Sequence, residues 1–187
     1  MKHMLAALAA GVLTAAVATA PAGAQDDTGP RTVRFGVAAG LAMPMGDFGD
    51  GTDMGFNVTG TVDAQPASLP VGVRLDVMYN RFGLSDFDGN ASILAGLLNA
   101  VLSFGTQTSA QPYVIGGVGV YSVNIGIEGG SDDSKTAFGI GLGGGVRFPL
   151  SGFDTYVEAR YHNAFSEDEG EGFVNATFLP IVFGLRF

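Results

Sequence analysis

At 187 residues the chain has room for one domain, and its 18 acidic against 9 basic residues exclude the basic footprint that nucleic acid needs. With no cysteine it has no disulfide framework and no Cys/His metal cluster, so no metal and no cofactor is expected. Yet 47% of it is hydrophobic, and after the first 24 residues no run is long enough for a membrane-spanning helix, so the apolar content must lie in short segments.

In chain order the first element is a leader. Lys2 and His3 form a short basic region, Met4 to Ala20 is apolar, and Ala22-Gly23-Ala24 places small residues before a cut at Gln25. Residues 1–24 are therefore expected to be a cleaved signal peptide that exports the chain. Removing Lys2 with it leaves 8 basic against 18 acidic residues. Residues 25–31 are a short N-terminal segment, and 32–187 form the domain.

That domain alternates apolar and small or polar residues with a period of two, the mark of strands with one apolar face. Thr32 to Met43 sets Val33, Phe35, Val37 and Leu41 against Arg34, Gly36 and Gly40. Asp53 to Asp63 and Val71 to Phe82 continue the pattern, the latter with Arg74 and Asp76 on its polar parity. Ile93 to Phe104 is apolar on both parities, and a helix is a rival over its first half. Pro112 to Asn124 carries Val or Ile on both parities, so its facing stays open. Ala137 to Leu150 sets Phe138, Ile140, Leu142, Val146 and Phe148 against four glycines and Arg147. Asp154 to His162 places Tyr156, Glu158, Arg160 and His162 together. Phe178 to Phe187 closes with Leu179, Ile181, Phe183, Leu185 and Phe187 on one parity, and Phe178, Pro180, Val182, Gly184 and Arg186 on the other. Pro180 has no N–H for a ladder, which predicts a bulge or a local break there.

Eight strands follow, separated alternately by short turns and by longer acidic stretches near Pro44–Thr52, Gly83–Asn90, Ile125–Lys135 and Phe165–Gly172. In an up-and-down meander this puts tight turns at one end and long loops at the other. Twelve of the 18 acids gather at the long-loop end. Aspartates 47, 50 and 53 there lack the spacing and closing Glu of a calcium loop.

Alternation alone does not say which parity faces inward. A soluble lipocalin-like carrier puts its apolar face inside; a membrane barrel puts it outside. Three features favour the membrane. The polar parity is mostly Gly, Ala, Thr and Asn, with Lys135 as the one lysine of the mature chain. Aromatics bracket the apolar parity: Phe35, Phe104 and Phe187 at one end, Phe56, Tyr79 and Tyr161 toward the other. Third, Leu179-x-Ile181-x-Phe183-Gly184-Leu185-x-Phe187 resembles the C-terminal strand signal of bacterial outer-membrane proteins. The stretches Gln111-Pro112-Tyr113 through Tyr121 and Thr155 to Tyr161 are similar to strands of small barrels of the OmpX and opacity-protein kind.

The resemblance implies an all-β, eight-stranded antiparallel up-and-down transmembrane barrel in the outer membrane. It also implies contact with outer-membrane lipid and lipopolysaccharide, and reading of Phe183, Gly184, Leu185 and Phe187 by the barrel-assembly machinery; a monomer is expected. Facing inward, Arg34, Arg74, Arg147, Arg160 and Arg186 would meet Asp63, Asp76 and Glu158. Of these, Arg74, Asp76, Glu158 and Arg160 are expected to form an ion-pair network that plugs the lumen. The expected role is structural or surface-directed, with a narrow pore and the soluble carrier as alternatives. No enzyme activity is expected. Tyr161-His162-Asn163-Ala164 departs from the His-x-Ser-Asn pattern of barrel lipid A deacylases, with alanine in the place of the serine.

Overall fold

The structure, a computed structural model, describes residues 33–64, 71–85, 89–104, 109–127, 133–165 and 175–187. Residues 1–24 and 25–31, expected to be leader and N-terminal segment, lie outside the described residues. Eight strands form: β1 (Val33–Met45), β2 (Gly55–Ala64), β3 (Val71–Gly83), β4 (Gly89–Ser103), β5 (Gln111–Ile127), β6 (Asp133–Pro149), β7 (Asp154–Phe165) and β8 (Ala176–Arg186). A single helical turn, α1 (Asp47–Asp50), interrupts the β1–β2 connection. Each strand pairs antiparallel with its neighbours in sequence, and β8 pairs with β1, so the sheet is a closed barrel. Closure reaches the last residue: the Phe35 N–H donates to the Phe187 carbonyl at 3.2 Å and the Phe187 N–H to the Phe35 carbonyl at 2.7 Å. No edge remains to recruit another chain.

The stagger sets the bore. An inward row followed from strand to strand runs Arg34, Asp63, Arg74, Asn99, Gly117, Gly141, His162, Phe178, and returns to β1 at Pro44 rather than Arg34, ten positions on. Eight strands with that shear tilt by roughly 40° and enclose a space that side chains fill.

Period two becomes alternate burial. Along β3, Arg74, Asp76, Met78, Asn80 and Phe82 are buried inside while Val71, Val73, Leu75, Val77 and Tyr79 face out. The outside is a continuous apolar band: Phe35 is 62%, Leu142 66% and Phe138 70% exposed, while Asp76 is 0% exposed. Water would not tolerate an apolar belt of this extent, and charges would not be buried inside a soluble carrier with its greasy side out. Aromatics rim the band: Phe35, Phe104, Phe148 and Phe187 near the tight turns, Phe56, Tyr79, Phe138, Tyr161 and Phe165 toward the long loops.

One detail differs from the sequence expectation, and three points that it left open resolve. Residues 125–127 and 133–135, placed in a loop, are strand, with Ile125 opposite Asp133. Apolar alternation marks only the part of a strand that meets an apolar surroundings; the ladder of β5 and β6 continues past it through Ser122, Asn124, Ser134 and Thr136. The rival helix over the first half of Ile93–Phe104 is absent: β4 is strand throughout, with Ile93, Leu97, Asn99 and Val101 inward. At Pro180 the expected bulge or break takes the form of a local break without a bulge, since the register with β7 is the same before and after it. The pairs of Arg160 with Pro180 and of Tyr161 with Leu179 are simply missing, while pairing with β1 runs on unbroken. The open facing of β5 resolves as Tyr113, Ile115, Tyr121 and Val123 inward.

Candidate functional site

The lumen holds the chain's unusual chemistry, in three layers. Its middle layer comes from β3 and β7, which stand opposite each other in an eight-stranded ring and run in the same direction. β3 carries Arg74 then Asp76; β7 carries Glu158 then Arg160. The order of charge is reversed between them, so opposite charges meet at each level. Arg74 Nη2 lies 2.8 Å from Glu158 Oε1, and Arg160 Nη1 lies 2.6 Å from Asp76 Oδ2. Along the strands, Arg74 Nε lies 2.9 Å from Asp76 Oδ1, too poorly aligned for a hydrogen bond, and Arg160 Nη2 pairs with Glu158 Oε1. All four side chains are 4% exposed or less, so solvent screens them little.

Neutral groups complete this layer. The Tyr113 hydroxyl donates to Glu158 Oε2 at 2.8 Å, and Asn99 Nδ2 donates to Asp76 Oδ2 at 3.0 Å. The Arg74 guanidinium also lies 6.0 Å from the Tyr156 ring centre. Buried charge needs this degree of satisfaction, because each unpaired ion would cost several kcal/mol.

At the tight-turn end Asp154 Oδ2 receives Arg34 at 2.7 Å and Arg186 at 2.5 Å, and Arg186 lies 3.7 Å from Asp63. Arg34, expected inside, is only half-buried at this mouth. Arg147 is buried and stacks its guanidinium over Tyr113 at 5.2 Å. Asp154 was missed in the sequence as a partner, although it shares the parity of Glu158 and stands directly opposite Arg186.

Toward the long loops the lumen is greasy, which corrects the expectation of an interior made only of small residues and paired charges. Met78, Phe82, Ile93, Leu97, Tyr121 and Phe178 form its core, and Phe48 of α1 packs on top, 5.3 Å from the Phe82 ring. His162 stacks on Phe178 at 5.1 Å, and its Nδ1 meets the Tyr121 hydroxyl at 2.9 Å. Where the middle layer meets this core, the residual cavity is only about 10 Å³. The sequence hid the apolar layer because Ile93, Leu97 and Val123 lie on strands that are apolar on both faces.

Glycines make room for the rings. A Cβ on Gly184 would lie 2.2 Å from the Tyr156 ring, one on Gly145 2.6 Å from the Tyr113 hydroxyl, and one on Gly139 2.7 Å from the Tyr121 ring. The small inner face of β6 therefore serves tyrosines as well as the arginine beside Gly143. Gly184 has a packing duty of its own, independent of any recognition of the last strand. Phe183, Leu185 and Phe187 sit beside it on the outward face.

An apolar exterior, a charged and filled lumen and eight closed strands have a counterpart in sequence. The model of the family described as outer membrane protein beta-barrel domain matches residues 8–187. The chain belongs to this family. As an outer-membrane β-barrel it has solved structural counterparts. Neisserial surface protein A, NspA, superposes with a TM-score of 0.66 at 19% identity, over 84% of this chain and 97% of that one. The outer membrane enzyme PagL gives a TM-score of 0.54 at 16% identity, over 82% and 98%. The N-terminal barrel domain of Pseudomonas aeruginosa OprF gives 0.52 at 15% identity, over 84% and 98%. At such identities the likeness is one of fold. A search of curated proteins found no match.

Proposed function

We propose that this outer-membrane barrel is a sealed scaffold with a structural or surface-directed role, held in the membrane by its apolar band and presenting acidic loops to the outside. One observation carries the reading: the lumen is crossed by the Arg74, Asp76, Glu158 and Arg160 layer and closed above it by a hydrophobic core, with a cavity of about 10 Å³ between. That space admits one water and no hydrated ion, so a pore is disfavoured. A soluble carrier is disfavoured by the apolar exterior and by a lumen that, among the described residues, is filled with packed and paired side chains. Catalysis at His162 is disfavoured too: the ring is fully buried in the lumen, and the hydroxyl at its Nδ1 is a tyrosine's.

On this reading residues 1–24 direct export, and the long-loop end faces outward as in other outer-membrane barrels. The partners are outer-membrane lipid, lipopolysaccharide and, during biogenesis, the assembly machinery reading Phe183, Gly184, Leu185 and Phe187. Of the twelve rim acids, Asp47, Asp50, Asp53 and Asp133 fall within the described residues. The test is fractionation followed by gel electrophoresis with and without boiling. The chain should stay with outer membranes through a carbonate wash and migrate differently once boiled. Release into the wash, or one mobility in both lanes, would rule the reading out.

A further inference from the structure

Six arginines lie among the described residues, and five of them point into the barrel or its mouth; Arg81 alone faces out. It stands on β3 two positions beyond Tyr79 on the same face, in register with Phe56 of β2 and Ser92 of β4. Below it that face is apolar from Val71 to Tyr79. At the same end the outward positions of other strands turn polar: Ser92 is opposite Asn124, Ser122 opposite Thr136, and Asn163 opposite Thr177. Arg81 thus sits where the apolar band stops and head groups begin.

Beside it a groove of about 730 Å³ opens on the outer surface, walled by Leu41, Met54, Phe56, Arg81 and Asn90. Leu41, Met54 and Phe56 are exposed apolar side chains. Gly55 lets β2 approach β3 closely beside the groove, since a Cβ on it would lie 2.0 Å from the Arg81 carbonyl. Arg81 has no ion-pair partner among the described residues; the nearby Asp53 accepts instead from Ser85 Oγ at 3.1 Å.

We propose that this groove seats a phosphate-bearing lipid of the outer leaflet, with Arg81 on the phosphate and an acyl chain along Phe56 and Leu41. Two properties select that occupant. A guanidinium matches a phosphate with paired hydrogen bonds. Arg81 is also the one arginine among the described residues that faces out, at the level where the apolar band ends. Leu41 and Phe56 share a register row with Arg81 on the outward face, and Met54 lies on the loop side of Phe56. This rests on the barrel lying in the outer membrane with its long loops outside.

The test uses the mature chain refolded into phosphatidylcholine nanodiscs that contain bisphosphorylated lipid A, or lipid A stripped of its phosphates. Lipid A retained on the released protein is counted by native mass spectrometry. The wild type should retain the phosphorylated form about tenfold better than Arg81→Gln, with Arg81→Lys between them. For the dephosphorylated form the difference should vanish. Equal retention of both lipids by the wild type, or equal retention of the phosphorylated lipid by wild type and Arg81→Gln, overturns the proposal. The heat-dependent gel shift, run on each sample, separates this outcome from failure of the membrane reading: a protein that never folds into the disc shows no shift.

Discussion

Glu158→Ala is expected to lower unfolding free energy by about 3–5 kcal/mol, one of the two largest single-residue effects in the molecule. Glu158 Oε1 receives both Arg74 and Arg160, and Oε2 receives the Tyr113 hydroxyl. Removing it leaves two buried guanidiniums sharing Asp76 alone, in a lumen where water cannot replace the lost charge. Most of the cost is therefore the stranded charge rather than the lost contacts. The double variant Arg74→Met with Glu158→Met removes one cation and one anion together and leaves the Arg160–Asp76 pair at 2.6 Å intact. It should cost less than Glu158→Ala alone, a strong departure from additivity. Urea titration in lipid vesicles, read by the gel shift of folded against unfolded barrel, measures both. A loss below about 1 kcal/mol for Glu158→Ala would mean that the layer contributes no more than a surface ion pair.

Gly40→Val should be as damaging for a different reason. Gly40 faces Val182 across the seam that closes the barrel. A Cβ there would lie 1.9 Å from the Ile181 carbonyl oxygen and 2.7 Å from Val182 Cα. These are backbone atoms, so no side-chain rotation relieves the overlap and β8 must move. On its other flank β8 already lacks two pairs with β7 around Pro180. The expected loss is about 3 kcal/mol, at the upper end of overpacking costs, with slower refolding into vesicles. Gly60→Ala is the control: a Cβ there meets nothing within 4 Å, and the change should stay within about 0.5 kcal/mol. Equal stability of the two variants would contradict the tight seam.

How much of this was legible beforehand follows from what a period of two encodes. It reports which residues share a face, so the opposition of Arg74 and Asp76 to Val73 and Leu75 could be read directly, as could eight strands and their order. It does not report where the ladder ends. Gly126, Ser134 and the residues after His162 looked like loop because they had left the apolar surroundings, not the sheet. Nor does it speak where both faces are apolar: Ile93 and Leu97 were ambiguous because the lumen beside them is itself hydrophobic. Asp154 as a partner of Arg34 and Arg186 depended on the stagger around the barrel, a property of all eight strands together. Arg81 interrupts the apolar parity of Val71 to Phe82 just before the Gly83–Asn90 connection, and parity alone does not show that it marks the edge of the apolar band.

The most direct measurement of the filled lumen is conductance across a planar bilayer holding the refolded chain, in concentrated potassium chloride. A lumen crossed by the Arg74, Asp76, Glu158 and Arg160 layer under a hydrophobic core predicts a flat baseline, with folded protein verified in the same membrane by its gel shift. Steady unitary current steps from the wild-type barrel would contradict it.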